Sequence, residues 1–146
     1  MPAQQPDASM LEDQLLADAR ALLQAGRREI IADELRLTDA EAEDFWPVYD
    51  AYHAAVMEVR DRQAEVIGVY LKRYRAGDVS EDYAEDLLEQ GLDVKQDLLK
   101  VQDRYLKRFK KTLPIRKLVR FYQLENKMDA EIDAQLAILV PLMDPV

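Results

Sequence analysis

The sequence predicts an all-α fold of four helices, in which the second and third form a long, bent antiparallel hairpin flanked by the first and fourth. Three observations predict it. Only 4 of the 146 residues are glycine, 34% are charged, and Ala, Leu, Glu, Asp, Lys and Arg dominate, a helix-favouring composition. Apolar residues recur at spacings of three and four over two long stretches, with no strand-like alternation. Capping and breaking residues punctuate those stretches at Thr38, Ser80, Pro114 and Pro141.

Helix one begins at a capping box formed by Ser9 and Glu12. Its stripe is Leu11, Leu15, Ala19, Leu22, Gly26 and Ile30, and it ends between Leu35 and Leu37. Gly26 weakens it by about 1 kcal/mol relative to alanine, so a bend or break is expected there. Thr38 caps helix two, with Glu41 three residues on, and Asp39, Glu41, Glu43 and Asp44 sit where the helix dipole favours negative charge. The stripe Phe45, Tyr49, Tyr52, Val56, Val59, Gln63, Val66, Tyr70 has coiled-coil spacing. Pro47 cannot donate to the carbonyl of Glu43, which predicts a kink rather than a stop. Gly77 suits a left-handed cap, and Ser80 then caps helix three. Its stripe is Tyr83, Leu87, Gly91, Val94, Leu98, Val101, Tyr105, widened by Leu88, Leu92, Leu99 and Leu106. Pro114 ends that helix and starts the fourth, which carries Leu118, Phe121, Tyr122, Met128, Ile132, Leu136 and Leu139 and stops at Pro141.

One domain is expected over residues 9–146, preceded by a polar, Pro-rich disordered tail at 1–8. Such a tail resembles the frayed start of a mature exported protein; Met1 would then stand in for a removed signal segment. The alternative is a tail on a cytosolic protein. No apolar run of about 18 residues predicts a transmembrane helix. The absence of cysteine removes disulfides, thiol nucleophiles and thiolate metal sites. A net charge of −9 opposes non-specific nucleic-acid binding.

A short pattern occurs twice. Leu37-Thr38-x-x-Glu41 followed by Phe45-Trp46-Pro47 and Tyr49 is matched by Leu113-Pro114-x-x-Lys117 followed by Phe121-Tyr122 and Glu125. Asp50 and Asn126 also correspond, as do Ala54 and Ala130. These strings resemble the LTxxQ-type repeats of the Spy/CpxP-like periplasmic proteins, and most of all a bacterial branch of that group whose role is uncharacterised. The similarity runs from about residue 27 to residue 142. Glu41 and Lys117 stand where the repeat has Gln. The resemblance implies an exported helical homodimer that binds unfolded or envelope proteins, or modulates an envelope-stress sensor, without ATP or cofactor.

Several residues carry two readings. The aromatic set Phe45, Trp46, Tyr49, Tyr52, Tyr70, Tyr74, Tyr105, Phe109, Phe121, Tyr122 is explained by core packing, while Tyr74, Tyr105 and Phe109 are candidates for a client-binding surface. Lys107, Arg108 and Lys111 belong to a basic run from Lys100 to Arg120, opposed only by Asp103. That run is either a solvated face or a means of capturing acidic clients or, weakly, anionic membrane surfaces. His53 is the only histidine and a weak metal candidate, since one His without Cys makes a poor zinc or copper site. It underlies an alternative reading as a metal-sensing regulator; a structural adaptor with one cognate partner is a third. Glu125 falls on the apolar side of helix four and needs a tyrosine hydroxyl or an arginine from another helix. No phosphate loop, Ser/His/Asp set or paired-carboxylate motif stands out, so no enzymatic activity and no cofactor are expected.

Overall fold

The computed structural model describes residues 8–24 and 26–146, with side chains described for 10–18 and 26–146. Residues 1–7 of the expected tail lie outside this range, as do the side chains of Ser9, Ala19 and Leu22. The described residues form five helices and no strand: α1 (Ala8–Gln24), α2 (Arg27–Leu35), α3 (Asp39–Ala76), α4 (Glu81–Phe109) and α5 (Ile115–Leu139).

The expectation of four helices is corrected at Gly26. This residue has φ 70°, a left-handed conformation that glycine adopts without a Cβ penalty. The chain reverses its helical sense there, and what reads as one helix becomes α1 and α2. Ser9, the expected cap, lies within α1.

The other punctuation falls as expected. The Thr38 hydroxyl accepts from the Glu41 amide at 3.2 Å, and the Ser80 hydroxyl from Tyr83 at 3.1 Å. Gly77, at φ 66°, closes α3: its amide donates to Tyr74 and that of Asp78 to Arg73, the paired bonds of a Schellman ending. α3 continues through Pro47. Its 38 residues span about 57 Å at 1.5 Å per residue, and α4 packs back along it as a hairpin.

The core lies at the open end of that hairpin, where α2 and α5 cover it. Phe45, Tyr49 and Tyr52 of α3 meet Tyr105 and Phe109 of α4, Phe121 of α5 and Ile31 and Leu35 of α2. A smaller cluster of Met57, Ile132 and Leu136 sits further along, with Leu16 of α1 packed on it. α1 is also tied to the hairpin by an ion pair between Glu12 and Arg75.

The two copies of the repeated pattern face each other across this core. Phe45 and the corresponding Phe121 meet edge to face at 5.4 Å. Glu41 accepts from the corresponding Lys117 at 3.0 Å. The residues that depart from the Gln of the resembled repeat therefore form an ion pair between the copies.

Candidate functional site

Two features stand out around this core: a buried ionic ladder and an open apolar groove. The ladder begins on α5, where Glu125, Asp129 and Asp133 fall four residues apart and so on one face. Opposite them, Tyr52 and Arg60 lie eight residues apart on α3, both buried, and Arg27 is the first residue of α2. Arg27 Nη2 donates to Glu125 Oε2 at 2.5 Å, and the Tyr52 hydroxyl donates to the same oxygen at 3.0 Å. Asp129 lies between the two arginines, 3.4 Å from Arg27 and 3.8 Å from Arg60. Arg60 Nη1 also donates to Asp133 at 2.6 Å. Arg27, Arg60 and Glu125 are all buried. Glu125 has both of the partner types its position demands.

Burial pushes the Glu125 and Asp129 carboxyls above their usual range, against the opposing pull of Arg27. The phenol of Tyr49, beside them, is pushed up to about 12, chiefly by burial. Not every polar atom is matched: Glu125 Oε1, Arg27 Nε and Nη1, and Arg60 Nε are buried without a hydrogen-bond partner among the described residues. The ladder is a clamp that holds α2 and α5 on the hairpin. A buried charge set of this kind contributes position more than stability.

His53 stacks on Tyr49 with ring centroids 5.7 Å apart. Burial, then the charge of Arg27, lowers its pKa, with Asp50 pulling the other way. The neighbouring guanidinium disfavours a second cation there. Among the described residues no group of three or more His, Asp or Glu side chains is placed to hold a metal ion.

The candidate client-binding residues do not form one surface. Tyr105 and Phe109 are core residues, 8% and 2% exposed, which corrects their assignment to the outside. Both stay in phase with the inward stripe of α4 to its last turn. Tyr74 is partly exposed but lies 22 residues along α3 from Tyr52, about 33 Å away. Lys107, Arg108 and Lys111 are exposed, and the Arg104 and Arg108 guanidinium groups each lie 5.0 Å from the Tyr105 ring. Lys117 and Arg120 have structural duties, donating to the carbonyls of Arg36 and Glu34 at the end of α2.

The exposed apolar surface is displaced by one helical position. Leu99 and Leu106 of α4 and Ile115, Leu118, Val119 and Tyr122 of α5 line an open groove of about 370 Å³, together with Gln102, Asp103 and Lys110. Leu99 is 66% exposed, Ile115 64% and Tyr122 50%. Leu88, Leu92, Leu99 and Leu106 fall at intervals of four, seven and seven, a heptad seam turned away from the core. That spacing was the available signal. Nothing in the local sequence marked Arg27 or Arg60 as buried.

The chain matches no known protein family, no curated protein and no solved structure. No helix among the described residues is long and apolar enough to cross a membrane.

Proposed function

We propose that this chain is a binding protein that holds exposed apolar segments of other proteins in the α4–α5 groove, without ATP, cofactor or chemical turnover. The observation that carries the reading is the groove itself: Leu, Ile and Val side chains left open to water beside cations with no ion-pair partner among the described residues. Apolar area supplies affinity for varied segments, and the cations raise the encounter rate with acidic ones. The likeness of the repeated strings to Spy/CpxP-like proteins supports a chaperone or envelope-stress role in the periplasm. A homodimer through Leu88 and Leu92, on the acidic half of α4, would leave the groove free.

The test is light scattering from two unrelated denatured proteins as they aggregate, in metal-free buffer. Suppression of both is expected, and Val119→Asp, which places a charge in the groove, should remove most of it. No suppression at several-fold excess would sink the reading.

A further inference from the structure

Glu125 uses only one of its carboxylate oxygens. Oε2 accepts from both Arg27 and Tyr52, whereas Oε1 is buried and has no donor among the described residues. Glu125 also lines a gap of about 20 Å³ together with Tyr52, Gln102, Leu106, Phe109, Phe121 and Tyr122. Gln102, Leu106 and Tyr122 line the open groove as well, so the gap adjoins the groove's inner wall. The space suits one oxygen atom and its hydrogen, not a ring.

This combination restricts what the groove holds. Its walls take an apolar body. Its inner end adjoins a buried acceptor, Glu125 Oε1, which a donor projecting past Leu106 would satisfy. That group is a neutral donor, because Arg27 already balances the Glu125 charge and a cation would meet the basic corner. Among the described residues Lys107, Lys110, Lys111 and Arg116 have no ion-pair partner there. The same cations favour acidic flanks. A tyrosine side chain meets each requirement: a flat apolar ring ending in a single hydroxyl.

We propose that the groove is a tyrosine-anchored docking site for acidic protein segments, with the tyrosine ring between α4 and α5 and its hydroxyl donating to Glu125 Oε1. The proposal rests on the binding role above and names the class of segment preferred.

Fluorescence anisotropy with two labelled acidic peptides, identical except for a central Tyr or Phe, tests it on the full chain. The Tyr peptide should bind about three- to tenfold more tightly, the range of one net hydrogen bond. Leu106→Trp, at a partly exposed position, narrows the way to the gap and should abolish that preference without unfolding the chain. Equal affinity for both peptides, or a preference that survives Leu106→Trp, would overturn the anchor while leaving groove binding intact. Binding of neither would overturn both. Self-association abolished by Leu106→Trp, with no peptide bound, would assign the groove to a second copy and overturn the proposal.

Discussion

The two copies of the repeated pattern start alike and end differently. In the first, Trp46 is half-buried, sits edge to face with Tyr49 at 5.3 Å and is covered by Arg28 of α2, whose guanidinium lies 4.2 Å from the ring. In the second, Tyr122 occupies the corresponding position and is half exposed on the wall of the groove. The third positions differ in the same sense: Tyr49 is a core aromatic, and Glu125 is a carboxylate that needs an arginine from α2. One copy is sealed by α2. The other is left open beside the α4–α5 corner. A single pattern thus supplies the closed half of the core and one wall of the open surface.

The largest way to break this asymmetry is Arg27→Leu. Leaving Glu125 buried without its cation should cost about 3–5 kcal/mol, read by urea denaturation. The next is the pair Trp46→Ala and Tyr122→Ala. The first should cost about 2 kcal/mol, less than a fully buried tryptophan, and the second about 0.5 kcal/mol or less, while only the second should weaken peptide binding.

A smaller effect separates the copies by pH. Glu41 is held below its usual range, chiefly by the hydrogen bond from Lys117, so its contribution is present above the unfolded pKa and fades as pH falls through the folded one. Glu125 is raised, so between its unfolded and folded values the native state binds more protons and stability falls as pH rises. Urea titrations across the acid range should therefore show Glu41→Gln and Glu125→Gln changing the pH slope in opposite directions. Slopes that change the same way would contradict this. Arg28→Ala, which uncovers Trp46, should cost about 0.5–1 kcal/mol in the same assay, less than Trp46→Ala itself.

The helices were legible because local rules set them. Thr38, Ser80, Gly77 and Pro114 act within a few residues of themselves, and the stripe of α3 carries its own period. Of the bend or break expected at Gly26, the chain makes the break, because a glycine can take φ 70° and no local rule requires it to. Glu125 was legible as a carboxylate in need of a partner, but Arg27 lies 98 residues away and nothing in its neighbourhood reveals the pairing. Aromatic content alone makes Tyr105 and Phe109 surface candidates, but their phase on α4 turns them into the core. The leucines one position round the helix are the ones left outside.

The meeting of the two copies also bears on the route by which the chain folds. Glu41 and Lys117 are 76 residues apart, and closing so long a loop from an open chain is entropically slow to reward. Once the α3–α4 hairpin has formed, Phe109 already lies beside Phe45 and Tyr52, and only the dozen residues from Phe109 to Phe121 remain to be closed. Loop-length scaling makes that second closure cheaper by about 1.6 kcal/mol, roughly fifteenfold in probability. The hairpin is then the template on which the copies are brought together. Hydrogen exchange during refolding should protect α3 and α4 before α5, and the groove should be the last part of the surface to take shape.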